Sequence, residues 1–423
     1  MKPRSASTAA VLLGLALFLA CPGDRPMEVG RLEPGDPDSL PTGGPEFPWR
    51  QWGGPAGDFH VRAGDLAEEW PTNGPPQIWS RELGPGYSAI VYDRGVLFTI
   101  YRDAGHDVVI ALRADDGRTI WKYRYPARTH AQNELQYGSG PNATPLIVED
   151  RVITLGYGGS LHCLDFATGR PRWSLDLIAD LDGEILPCGN SASPVRHGDD
   201  VIVLTGGNRQ AVVALDPTDG SVVWRSAPGT VSYATEDAIA GIDAATGERL
   251  WSHPSFNSNR DNISNPIWGE DRLLWSSTQL EGGSRVIRLE QVGERYEPQE
   301  LWASNRISIH YWNALRLGNH VYASVGSQGL VFACVDVRSG EVVWRRRGFE
   351  KANLLQAGDK TILLDADGVL ALVRLTPEKM TVLSQVDLAA GETWTVPTLV
   401  GTTLYLRDHE RIRALNLGQV GDD

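Results

Sequence analysis

The sequence has no surplus of basic residues: 39 Lys and Arg stand against 53 Asp and Glu, a formal net charge of −14. That balance provides no basic face of the kind a phosphate backbone requires, so no nucleic-acid partner is expected. After the first twenty residues no unbroken apolar run is long enough for a transmembrane helix. Cysteine is scarce, with four residues in all, and no Cys and His cluster has zinc-ligand spacing. There is no Gly-x-Ser-x-Gly elbow, phosphate loop or dinucleotide fingerprint. His130, His162, His310 and His320 stand at no catalytic spacing and are expected to be satisfied or solvent-exposed histidines. No catalytic residue and no metal ligand is assigned. Met (3) and Phe (8) are few beside 14 Trp, an imbalance that points to one recurring structural role for Trp.

The N-terminus reads as an export signal, in which Lys2 and Arg4 precede an apolar run from Ala9 to Ala20 that is too short to span a bilayer. The run ends in Leu17-Phe18-Leu19-Ala20-Cys21, which resembles a lipobox although Phe18 stands where Leu is usual. Residues 1–21 are therefore expected to be a signal peptide with lipidation at Cys21; the alternative is an ordinary cleaved secretory signal. Residues 22–46 are rich in Pro, Gly and Asp and are expected to form a flexible tether. The folded domain is expected over 47–417, with 418–423 as a tail. Cys163 and Cys334 occupy equivalent repeat positions and are expected to pack in strands. An oxidising compartment permits a Cys163–Cys188 disulfide, and the sequence alone does not choose.

One pattern recurs: an apolar strand, Asp or its replacement, a short polar stretch, Gly, and Trp four residues after the Gly. It appears at Gly117 and Trp121, Gly169 and Trp173, Gly220 and Trp224, Gly247 and Trp251, and Gly340 and Trp344. Each copy predicts a β-hairpin, with Asp bonding the turn backbone and Gly supplying a positive φ. Upstream, Asn142-Ala-Thr-Pro, Ser191-Ala-Ser-Pro and Thr393-Trp-Thr-Val-Pro each open a strand, turn and strand, so a full repeat holds four strands. Successive Trp spacings from Trp79 are 42, 52, 51, 27, 51 (to Trp302) and 42, and four antiparallel strands at this period predict a β-propeller. The spacing of 27 predicts a truncated fourth blade. The last repeat lacks one strand, and the Trp79 segment near the N-terminus supplies it. Counting the short and shared blades, the sequence predicts an all-β, eight-bladed propeller whose ring is closed by an N-terminal strand. The recurring Trp residues are expected to pack between blades.

These repeats resemble the pyrroloquinoline-quinone (PQQ) repeat family, with Asp-Ala-Ala-Thr-Gly-Glu-Arg-Leu-Trp251 close to its consensus. The resemblance implies a quinoprotein-like propeller and two functional branches, which the fold alone does not separate. One holds quinoprotein dehydrogenases, which bind PQQ with calcium and commonly carry adjacent cysteines. The other holds BamB-like outer-membrane assembly lipoproteins, which act as scaffolds. This chain has no Cys-Cys pair and has a lipobox-like signal. The expectation is a non-catalytic scaffold binding other envelope proteins, anchored through Cys21 on the periplasmic side of the outer membrane, with no cofactor. The alternative is a PQQ- and calcium-dependent periplasmic oxidoreductase. Residues at the first strand of each repeat, namely Asn142, Ser191, Asn265, Trp312 and Trp394, are expected to line the central channel.

Overall fold

The computed structural model describes residues 30–35, 40–41, 43–44, 47–130, 138, 140–184, 186, 188–206, 211–227, 238–255, 264–278, 282–293, 295–326, 329–388 and 391–419. The signal, Cys21, most of the 22–46 segment and 420–423 lie outside them. Among the described residues the regular elements are strands, arranged as antiparallel meanders. The first repeat runs Val91–Asp93, Val96–Asp103, His106–Arg113 and Thr119–Pro126 from the axis outward, and the second runs Leu146–Val148, Arg151–Leu155, Ser160–Asp165 and Pro171–Asp176. The third begins with Val195–His197 and Asp200–Leu204, the fifth with Ile267–Trp268 and Leu273–Ser277, the sixth with Leu315–Leu317, and the seventh with Asn353–Ala357. The closing blade joins Thr398–Val400, Thr403–Arg407 and Arg411–Asn416 to Gln77–Glu82, so a strand from early in the chain does complete the ring.

The ring has seven blades, not the eight predicted. Among the described residues the fourth repeat is a two-stranded hairpin, Ala238–Ile242 with Arg249–Pro254. Twelve residues separate Arg225 from Ala238, against 33 between Pro126 and Ser160, which leaves no length for two further strands and their turns. A second departure lies in the stretch expected to be a flexible tether, where Arg31–Pro34 pairs instead with the outer strand of the first repeat, Leu32 opposite Tyr123.

The turn chemistry explains the repeat. Asp165 Oδ1 accepts from Thr168 N (2.9 Å) and Thr168 Oγ1 (2.8 Å). Gly169 N donates to Asp165 O (2.8 Å), and Gly169 has φ +69°, which only Gly adopts without strain. A Cβ on Gly169 would lie 2.5 Å from the Trp121 ring of the preceding blade. The glycine therefore serves both its own turn and a neighbour's indole. Trp121 Nε1 donates to Phe166 O (3.0 Å) in that same turn.

The arrangement repeats around the ring: Trp79 donates to Ala114 O, Trp173 to Pro217 O, Trp224 to Ala244 O, Trp302 to Val337 O and Trp344 to Thr376 O, at 2.8 to 3.1 Å. Each indole so buries its faces between blades and satisfies its one donor. Gly117, Gly220, Gly247 and Gly340 meet Trp79, Trp173, Trp224 and Trp302 in the same way. Trp251 departs from the pattern, lying against Gly241 of its own hairpin. The fifth repeat offers it no Asp-x-x-x-Gly turn, since its outer hairpin reverses at Gly293.

The closing seam carries a different device. Arg407 is completely buried and donates to Ser88 O (3.2 Å), Thr99 Oγ1 (3.0 Å), Ile100 O (2.8 Å) and Gly84 O (3.0 Å). It stitches the last repeat to the first, and burial pulls its pKa down to about 10.

Candidate functional site

In a propeller the connections leading into the innermost strands converge on one mouth of the axis. The register identifies the equivalent residues here. Val91, Leu146, Val195, Leu315, Leu355 and Thr398 share one position, each in the row that ends on the Trp position of its blade. Four residues before them stand Tyr87, Asn142, Ser191, Tyr311, Lys351 and Trp394.

On one side the mouth is aromatic. Trp394 stacks on Tyr87 (5.6 Å, 22°) and on Tyr311 (5.8 Å, 10°), and Lys351 Nζ lies 5.9 Å from the Trp394 ring centroid. His409 meets Tyr87 edge-on at 4.7 Å, and the His310 ring lies 3.8 Å from that of Tyr311. On the other side the mouth is polar, with Asn142 Nδ2 donating to Ser191 Oγ (2.8 Å) and to Cys188 O (3.3 Å). Burial, reinforced by Glu392, pushes the Tyr87 phenol up to about 12. Burial and the Lys351 charge pull His310 down to about 4, and burial lowers His409. Both imidazoles are therefore neutral at neutral pH. The cluster offers stacking and hydrogen-bonding groups, with Glu392 Oε2 3.7 Å from His409 Nε2.

Of the five residues expected to line the channel, Asn142, Ser191 and Trp394 fall at this shared position and the first two touch. Asn265 is exposed on the run into the fifth repeat. Trp312 is instead a core residue, buried and donating to Ser324 O. Tyr87, Tyr311 and Lys351 were missed; counting back four residues from each inner strand would have found them. Cys163 and Cys334 are buried, their thiols pushed by burial up to about 12 and about 11. Cys163 Sγ lies 3.8 Å from Pro217 O and is not bridged to Cys188. His162 is buried with Nδ1 2.8 Å from Ser174 Oγ, and burial holds it down at about 3.

At the opposite end, the segment leading to Gln77–Glu82 crosses the axis. Trp49 exchanges backbone bonds with Tyr92 on the inner edge of the first repeat (2.8 and 2.7 Å), and Ile147 N of the second donates to Arg50 O. His60–Val61 then pairs in parallel with the inner edge of Asn353–Ala357 in the seventh repeat. Trp49, Phe59 and Leu66 are buried by this crossing. The segment continues outward to Ser384, which occupies the Trp position of the seventh repeat and bonds Trp70 N and Glu68 O. The axis is thus crossed by the chain itself at one end and lined by stacked rings at the other.

Residues 71–238 and 229–393 match a family model described as outer membrane protein assembly factor BamB. The chain is 33% identical over 178 residues to the quinohemoprotein alcohol dehydrogenase ADH-IIG of Pseudomonas putida, a match covering 39% of this chain and 24% of that protein. It is 21% identical over 301 residues to the outer membrane protein assembly factor BamB of Alteromonas naphthalenivorans, covering 69% of this chain and 64% of that protein. Both matches span less than two thirds of the relative's length. The crystal structure of BamB from Moraxella catarrhalis has the same fold, with a TM-score of 0.56 at 17% identity over 81% of this chain and 99% of that one.

Proposed function

We propose, from the premise that the chain belongs to the BamB-type family of PQQ-like repeat propellers, that it is a non-catalytic scaffold of the cell envelope. In this reading it binds other envelope proteins in outer-membrane protein assembly, and lipidation at Cys21 tethers it to the outer membrane. The observation that carries the reading is the state of Trp394. A planar quinone held in the channel needs an open aromatic face, and Trp394 already stacks with Tyr87 and Tyr311. On this reading the two tyrosines take the stacking place a quinone would need, and no redox step is derived for this chain. The partial likeness to a quinohemoprotein dehydrogenase keeps PQQ-dependent oxidation as the second reading.

Titrating the mature chain with PQQ and calcium, while following quinone absorbance and thermal stability, separates the two. The scaffold reading expects no saturable binding and no rise in melting temperature. Tight binding with stabilisation, and dye-linked oxidation of alcohols, would overturn it. In cells, Cys21→Ser is expected to release the protein from the membrane fraction; unchanged sedimentation would remove the anchor from the proposal.

A further inference from the structure

Among the described residues the fourth repeat leaves a gap between the third and fifth. In a complete blade the third strand is paired on both edges, as Leu161 is with Leu155 and with Leu175. The hairpin strand Ala238–Ile242 corresponds to that third strand and is paired only with Arg249–Pro254. Its axis-facing edge carries no strand among the described residues.

The walls of the gap are apolar. Val195, Ile202, Ala214 and Trp224 form one register row of the third repeat, and Trp224 docks on the hairpin, so this row and Leu204 two residues on face the gap. Val195 is 49% and Leu204 45% exposed. The matching Val91 and Ile100 of the first repeat, and Leu146 and Leu155 of the second, are at most 1% exposed. Across the gap, Ile267, Trp275, Val286 and Trp302 form the row facing the sixth repeat. Trp268, one residue on, therefore faces back toward the fourth and is 53% exposed. Its counterparts Tyr92 and Ile147 are 1% exposed.

The bonds between neighbouring blades near the mouth stop at the same place. Ala89 N donates to Thr144 Oγ1, Thr144 N to Ser193 Oγ, Ser264 Oγ to Ile309 O, Asn313 Nδ2 to Leu354 O, Thr393 Oγ1 to Asp365 O and Thr398 Oγ1 to Ile90 O. The step from the third repeat to the fifth has no counterpart among the described residues.

We infer that this gap is an acceptor groove for a β-hairpin of another polypeptide, apolar on both faces, which pairs with the edge of Ala238–Ile242 that no described strand occupies and packs between Val195, Leu204 and Trp268. The seven complete blades define the occupant. In each, the missing space holds two short antiparallel strands, whose side chains are buried toward both neighbours in the first and second repeats. Strand addition supplies backbone bonds for affinity, and the apolar walls select side chains. A groove of this kind also accounts for an apolar surface that a closed ring would bury. The inference rests on the scaffold reading for the partner's origin, but the groove itself is testable alone.

The probe is a synthetic hairpin copying residues 142–156, which forms the two inner strands of the second repeat, carried on a solubilising tail. Added to the full mature chain, it is expected to bind saturably and to slow hydrogen exchange of the Ala238–Ile242 amides. Val195→Lys and Trp268→Lys alter exposed side chains, so the fold should persist. Each is expected to weaken binding by about tenfold or more, while Val343→Lys, on the outer strand of the sixth repeat, leaves it unchanged. Equal binding by the Val195→Lys and Trp268→Lys variants would overturn the groove. So would amides already protected in the isolated monomer, which would mean that the chain fills its own gap. A concentration-dependent dimer dissociated by the peptide would make the occupant a second copy and overturn a heterologous partner. Peptide binding at this groove together with saturable PQQ binding would retain the groove and discard the scaffold reading.

Discussion

Val91, Phe98 and Trp121 of the first repeat and Val195, Ile202 and Trp224 of the third hold the same register positions. Against the complete second blade, Val91 and Phe98 are wholly buried; against the two-stranded fourth repeat, Val195 is half exposed. The residue types barely differ, so the chain's apolar pattern is set by the repeat and its burial by whether a neighbour exists. Interblade packing is thus a property of pairs. Burial at about 25 cal/mol per Å² accrues only where both partners are present.

The comparison can be broken most severely at the closing seam. Arg407→Ala would remove the guanidinium's bonds to the carbonyls of Ile100 and Gly84, and leave Ser88 O only the Thr99 hydroxyl. It is expected to cost about 5 kcal/mol in denaturant unfolding, and Arg407→Met less, because it keeps the volume. A next test sets Trp121→Ala, at the filled interface, against Trp251→Ala, which docks on no neighbouring turn among the described residues. The first is expected to cost about 4 kcal/mol and the second less than about 1 kcal/mol; equal losses would remove the indole's interblade role. Gly169→Ala drives a Cβ into the Trp121 ring from a positive φ, and is expected to cost about 2–3 kcal/mol. Gly198→Ala, at a turn of the third repeat with φ +58° and nothing within 4 Å, costs about 1 kcal/mol from strain alone.

The smallest effect is in pH. Burial raises the Asp365 carboxyl to about 6, above its unfolded value of about 4. Its contribution to stability is therefore complete below about pH 4 and is lost as pH rises through about 6. Asp365→Asn retains an acceptor for Asp367 N and Val369 N. It is expected to flatten the stability profile between those values and to gain about 1 kcal/mol at pH 7; an unchanged profile would remove the buried charge as its cause.

Much of the ring was legible because each repeat announces itself locally. The Asp-x-x-x-Gly turn needs Gly for its φ and the Trp follows at fixed distance, so hairpins, Trp roles and the closing strand could be read from spacing. The spacing of 27 showed that the fourth repeat was short, yet not that the ring would hold seven blades. The mouth was half legible. Asn142, Ser191 and Trp394 stood in aligned segments, but Trp312 attracted notice as an indole when Tyr311 beside it held the equivalent place. Arg407 and the axis-crossing segment gave no signal, since neither a buried arginine bonded to carbonyls nor an irregular crossing has a periodicity.

The sequence by itself determined the repeat, the strand order and which residues each blade presents to the next, because turn chemistry and period-2 patterning act within about fifty residues. Tertiary structure alone decided that the chain crosses its own axis, that Trp394 stacks with Tyr87 and Tyr311, and that Val195, Leu204 and Trp268 remain about half exposed. Those outcomes depend on contacts between segments as much as three hundred residues apart, and burial is settled only when such segments meet or fail to.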